Sequence, residues 1–247
     1  MPVPGPAARA PWCLRPAPLP TARCPLPAEI DGTVRWAART VARMTAAEGH
    51  SDVPADVVLR AEAPGEEDAV RDVQGRAFGD PEHVPGLVDA LRAAPAALPP
   101  LSFVAVDGER VVGHVMLSAC RVDALPRLVD VYSLSPLGVH PDHQGRGIGT
   151  RLIAHALAAA EADGVPLVFL EGSPRYYSAR GFRPAEELGF RAPSLRYPPG
   201  AFQVAALSAY EEWMTGTFVY AETFWALDCV GLREPDLSAV TAAISGG

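Results

Sequence analysis

The sequence predicts an α+β domain built on a mixed, mostly antiparallel sheet of six or seven strands. Short apolar or β-branched runs recur between residue 57 and residue 225, separated by turn residues. Two of them, LSFVAVD and RVVGHVMLSA, are joined by Asp107-Gly108-Glu109, a short Asp-Gly connection that reads as an antiparallel hairpin. A further run leads through a glycine-rich turn into a long Ala-rich helical pattern and then into VPLVFL. That strand, helix, strand order brings two strands parallel through a right-handed crossover.

Taken in chain order, residues 1–55 stand apart, because prolines from Pro2 to Pro27 interrupt any helix and leave no periodic apolar face. They are expected to form a disordered tail, ahead of a domain over 56–235 and a short C-terminal tail over 236–247. Within the first tail, Thr33 to Ala47 can form a short helix with Arg35, Arg39 and Arg43 on one solvated stripe, and Met44 is an alternative start. Val57-Val58-Leu59 opens the first strand. GEEDAVRDVQGRAF follows, with Ala69, Val70, Val73 and Phe78 near helical spacing and Glu66, Glu67 and Asp68 at the end a macrodipole favours. A second helix is expected at HVPGLVDALRAA, where Val84, Leu87, Val88 and Leu91 share a face. After the hairpin comes VDVYSLSPLGV, whose Pro136 has no N–H for a ladder and so marks a bulge or break. The long helix ends near Gly164, SPRYYSARGF reads as a short helix ending at Gly181, and AFQVAAL and TFVYAETF supply the last strands.

Composition removes several functions. A formal net charge of -8 opposes binding to a phosphate backbone, so no nucleic-acid partner is expected. All 21 basic residues are arginine, which excludes a Walker lysine, a Schiff-base lysine and a lysine nucleophile. No apolar run approaches the ~20 residues of a spanning helix, and no membrane partner is expected. Cys13, Cys24, Cys120 and Cys229 lack CxxC spacing, and no secretory apolar segment opens the chain. They read as reduced thiols of a cytoplasmic protein, either a monomer or a homodimer.

Gln144-Gly145-Arg146-Gly147-Ile148-Gly149 is the most informative stretch. Glycines at a strand-to-helix turn let the backbone approach a ligand and aim several N–H groups at an anion, which suits a pyrophosphate. The turn is no dinucleotide fingerprint, since Thr150 stands where a third glycine is needed, and no Walker loop, since the lysine is missing. In context it resembles the GNAT N-acetyltransferases, whose cofactor motif Q/R-x-x-G-x-G/A is filled by Gln144, Gly147 and Gly149. SPLGVHPDHQGRGIG resembles that family's bulged fourth strand, and Tyr177-Ser178-Ala179-Arg180-Gly181-Phe182 its Y-x-x-x-G-F segment. The resemblance covers roughly residues 56 to 225. The hairpin and the Tyr-Tyr pair are similar to one bacterial subgroup of predicted acetyltransferases.

The resemblance implies helices on both faces of the sheet and a splayed central cleft holding acetyl-CoA as cosubstrate. The backbone around Leu137 and Val139 would hold the pantetheine arm, and the N–H groups from Gly145 to Thr150 the pyrophosphate. Arg146 could add a contact to a phosphate. Transfer to an amine needs a neutral amine, a stabilised oxyanion and a proton for the departing thiolate. Tyr177 matches the family's general acid, and its neighbour Tyr176 reads as structural. Asp130, Tyr132 and Glu171 stand on or near the two central strands as candidate bases. His140 and His143 form an HxxH without a third ligand, and His114 reads as a satisfied strand histidine, so no metal is assigned. Aromatics from Phe190 to Trp225 are expected to supply part of the acceptor wall. The function expected is acetyl transfer by direct attack of a small-molecule or peptide amine, and the alternatives are a non-catalytic CoA-binding module and an acyltransferase using a longer acyl-CoA.

Overall fold

The structure, a computed structural model, describes residues 57–245. The expected N-terminal tail, its short helix and Met44 lie outside them. In chain order the elements are β1 (Val57–Ala61), α1 (Glu67–Phe78), α2 (His83–Ala93), β2 (Leu101–Asp107), β3 (Arg110–Ala124) and β4 (Leu128–Val139). There follow α3 (Ile148–Ala162), β5 (Leu167–Glu171), α4 (Pro174–Tyr177), β6 (Arg183–Pro184), β7 (Phe202–Ala206), β8 (Gly216–Val219), α5 (Glu222–Ala226) and α6 (Asp236–Ser245). The helices start and stop for local reasons. Asp80 Oδ1 accepts from the N–H groups of Glu82 and His83 at the start of α2, while Gly79 closes α1 in the left-handed conformation that suits glycine.

The strands form one sheet in the order β1-β2-β3-β4-β5-β7-β6, with β8 added to β3. Every pairing is antiparallel except β4 with β5. The sheet thus has eight strands where six or seven were expected. The additions are small: β6 has two residues, and β8 joins the sheet at Arg121–Ala124, where β3 runs on past the end of β2. The run TFVYAETF does not continue as a strand, since α5 begins at Glu222. The segment read as a C-terminal tail carries α6, whose Val240 is buried.

Two apolar cores lie on opposite faces of the sheet. One packs Val70, Val73, Leu87, Val88 and Leu91 of α1 and α2 against alternate strand residues such as Met116, Val131 and Phe169. The other packs Ile148, Leu152, Ile153 and Ala156 of α3 against the intervening residues, among them Val115, Tyr132 and Val168. The period-2 alternation of a strand is what sorts neighbours into different cores. Most of the late aromatics belong to the first core: Phe169 stacks on Phe202 at 5.5 Å and meets Phe190 edge-on at 5.0 Å.

Candidate active site

β4 and β5 touch at two positions only, Tyr132 with Val168 and Ser133 with Phe169. Beyond them β5 turns its full length toward β7, and β4 stays on β3 as far as Val139 opposite Gly113. A wedge therefore opens between two strands that remain held on their outer sides. The ladder of β3 and β4 slips at the same place: Val115 faces Leu137 and Leu117 faces Leu134, so Ser135 and Pro136 share one partner position. That is a bulge where proline could not have donated to a regular ladder. Leu137 and Val139 sit half-buried on the wedge edge of β4, where no strand among the described residues lies beside them.

The wedge leads into the glycine turn. A 3-10 turn over Pro141–His143 brings the chain to Gln144, whose side-chain amide donates to Val139 O at 2.9 Å and fixes the end of β4. Gly145 (φ 75°) and Gly147 (φ 76°) adopt the left-handed conformation that glycine alone accepts cheaply. Gly147 caps α3 without any side-chain hydrogen bond, and the first bond of the helix is Arg151 N–H to Gly147 O at 3.1 Å. The N–H groups of Ile148, Gly149 and Thr150 thus have no partner within the helix and point toward the wedge end of the turn. Arg146 is exposed beside them. The turn is braced from behind, where Arg110 donates to His140 Nε2 at 2.8 Å and His143 Nε2 lies 3.5 Å from Asp107 Oδ2.

At the inner end of the wedge the chain places Glu171 and Tyr177 on opposite faces. Alternation along β5 turns Glu171 to the α1/α2 face with Phe169. Its Oε2 accepts from Gly231 N–H at 3.2 Å. Burial raises its pKa to about 7, against the smaller opposing effects of that hydrogen bond and of the Arg196 cation. The residue itself keeps partial solvent contact. Tyr177 lies in the α3 face core, 3% exposed, edge-on to Tyr176 and Phe182 at 4.9 and 5.8 Å. Its ring fills the space that a side chain on Gly172 would need, so the Glu-Gly pair ending β5 is what admits the ring. Burial pushes the Tyr177 hydroxyl well above the ordinary phenol range.

The remaining candidates are engaged elsewhere. Asp130 is exposed and bound to Arg121 at 3.1 Å on the distal half of the hairpin, and Tyr132 donates its hydroxyl proton to Pro99 O at 2.9 Å on the α3 face. His114 is fully buried, with its pKa lowered to about 3 by burial; its Nδ1 meets Gln74 Nε2 at 2.6 Å and its Nε2 meets Ser102 Oγ at 2.9 Å. Gln74 donating to Nδ1 leaves the proton on Nε2 and the ring neutral. No group of three metal-ligating side chains occurs among the described residues, and no helix there is long and apolar enough to cross a membrane. Sequence reasoning missed a ledge beside the turn: Arg180 stacks on Tyr176 at 3.7 Å and donates to Thr150 Oγ1 at 2.9 Å, and the Tyr176 hydroxyl lies against Gly149. The arginine four residues after a tyrosine was its one signal. It also missed the hydroxyls around Glu171, for which Ser118 and Ser133, polar residues inside apolar strands, were the clue.

Comparison with known proteins agrees with this geometry. Residues 59–185 match the family model described as an acetyltransferase (GNAT) domain. The chain is 34% identical over 125 residues to the uncharacterized N-acetyltransferase YjhQ of Escherichia coli, covering 50% of this chain and 68% of that one. Among solved structures it is similar to the GNAT family N-acetyltransferase YhbS of Escherichia coli in complex with CoA, with a TM-score of 0.60 and 28% identity over 71% of this chain and 95% of that one. A GNAT family acetyltransferase of Brucella melitensis in complex with acetyl-CoA gives a TM-score of 0.55 and 29% identity, over 68% and 97% of the two chains.

Proposed function

This chain belongs to the GNAT family of N-acetyltransferases, and from that premise we propose that it moves the acetyl group of acetyl-CoA to a primary amine by direct attack. The wedge between β4 and β5, running from an uncapped helix start to a half-buried carboxylate, is the observation that carries the reading. It fits the cosubstrate of the two ligand-bound relatives. The free edge of β4 at Leu137 and Val139 can pair with the amides of a pantetheine arm. The N–H groups from Gly145 to Thr150 suit a pyrophosphate, with Gln144 holding the turn and Arg146 adding charge. Bound acetyl-CoA supplies an acyl carbon activated as a thioester.

The chain's own groups then divide the proton work. An amine reaches the site mostly as ammonium, and a carboxylate with a pKa of about 7 is poised to take its proton near neutral pH. Tyr177, kept protonated by burial, holds a proton for the departing thiolate from the opposite face. Asp130 is the poorer candidate for this role, because it is exposed, paired with Arg121 and far from the wedge end.

The test is to titrate the purified chain with acetyl-CoA, then follow free thiol with a panel of small-molecule and peptide amines. Saturable binding and amine-dependent thiol release are expected. Binding without release for any amine would favour a non-catalytic CoA-binding module, and faster release from a longer acyl-CoA in direct competition would change the donor.

A further inference from the structure

On the α1/α2 face, next to Glu171, the fold gathers hydroxyl groups and leaves them without partners. Ser118 and Ser133 stand opposite each other on β3 and β4, 3% and 0% exposed. Neither Oγ has a hydrogen-bond partner among the described residues, and the same holds for the buried Tyr197 hydroxyl. The Tyr220 hydroxyl lies beside those of Tyr197 and Ser133, close enough for each to bias its ionisation. The charge of Glu171 reaches both tyrosines.

A buried hydroxyl without a partner costs about 1–3 kcal/mol. Three in one place are a large fraction of the ~5–15 kcal/mol that holds a domain together. Alanine or phenylalanine at these positions would keep the packing without that cost, so stability does not explain them. What the group offers is complementary to a ligand: donors and acceptors of neutral character grouped around one carboxylate. The cation whose charge reaches Glu171, Arg196, is already bound to Asp228 at 3.1 Å, which leaves it poorly placed to receive a second anion.

We infer that the acceptor is a primary amine carrying a hydroxyl group a few bonds from its nitrogen and no carboxylate, with the nitrogen at Glu171 and the hydroxyl among Ser118, Ser133, Tyr197 and Tyr220. The inference rests on the acetyl-transfer reading. In the reaction the ammonium gives one proton to Glu171 and the neutral nitrogen bonds the acyl carbon; the carbon–sulfur bond breaks, its electron pair goes to sulfur, sulfur takes the Tyr177 proton, and the second proton lost by the nitrogen restores the Tyr177 hydroxyl. A plain alkylamine would leave the hydroxyls unpaired, and a site built to bond a hydroxyl discriminates strongly against an analogue lacking one. A carboxylate beside Glu171 would meet like charge in a desolvated place.

Three amines of matched length test it: 3-aminopropan-1-ol, butylamine and β-alanine, compared by kcat/KM for thiol release. The amino alcohol should exceed butylamine at least tenfold, with β-alanine slowest. Ser133→Ala and Tyr197→Phe should each cut the ratio of amino alcohol to butylamine at least fivefold, whereas a merely structural role would lower both rates alike and leave the ratio standing. Ser133→Ala should also melt within a few degrees of the parent, so that a changed ratio is read in a folded protein. Butylamine or β-alanine equalling the amino alcohol overturns the inference. Should acetyl-CoA bind and no amine release thiol, the acetyl-transfer reading is what fails. Calorimetry of the two neutral-tailed amines on the CoA-saturated chain then decides the acceptor separately, and equal affinity overturns it.

Discussion

At the scale of single residues, Glu171 carries two opposite obligations. Its proton is held more tightly in the folded chain than in the unfolded one, where its pKa is 4.5, so from about pH 4.5 up to about 7 stability falls as pH rises. Over the same interval the ionised fraction that its proposed role as base requires grows. Glu171→Gln is therefore expected to match the parent melting temperature at pH 4, exceed it by a few degrees at pH 8, and lose ~10²-fold or more in kcat together with the pH limb near 7. Melting curves and rate profiles across that range check both halves, and a variant that keeps the limb removes Glu171 as the base. Tyr177→Phe keeps the edge-on ring contacts and the fit to Gly172 while removing the hydroxyl. Its kcat should drop by ~10²-fold with acetyl-CoA affinity near the parent value; single-turnover measurement separates a true loss from one hidden behind product release.

At the scale of elements, the glycine turn and the wedge act as one device, because the end of β4 is tied to the turn through Gln144. Valine at 147 would have to adopt φ near 76°, where a β-branched residue is strained, and its side chain would crowd the proposed phosphate cradle. Gly147→Val should weaken acetyl-CoA binding at least tenfold, or ~1.4 kcal/mol, in a calorimetric titration of a protein that still melts cooperatively; unchanged affinity would sink the cradle. These two elements were legible in the sequence, since glycine and proline act through their own backbones and need no knowledge of distant neighbours. The parallel crossover and the hairpin were legible for the same reason, being local in pattern. Glu171 could be named only as one acidic residue near a central strand. What sets it apart from Asp130 is the Gly231 N–H and the packing around it, both contributed by a coil far along the chain. The His114 contacts to Gln74 and Ser102 were illegible in the same way, since three separate elements supply them. The helix at Asp236–Ser245 was missed because its run DLSAVTAAIS follows a proline and shows little one-sided patterning.

At the scale of the whole molecule, the sheet separates two packed volumes that share strands but few side chains. Leu87→Ala in one and Ile153→Val in the other should cost about 3 and about 1 kcal/mol, and the double variant should lose their sum within ~0.5 kcal/mol. Denaturant midpoints of the four proteins measure this, and a clear shortfall would mean that the strands transmit strain between the cores. The same partition puts the glycine turn's helix and Tyr177 with one core, and Glu171 with its hydroxyls in the other. On the proposed assignment, then, the two halves of the reaction are free to drift at different rates along a lineage: a copy of this gene can exchange the serines and tyrosines proposed to greet one amine for residues that greet another, and inherit its acyl-donor apparatus unaltered.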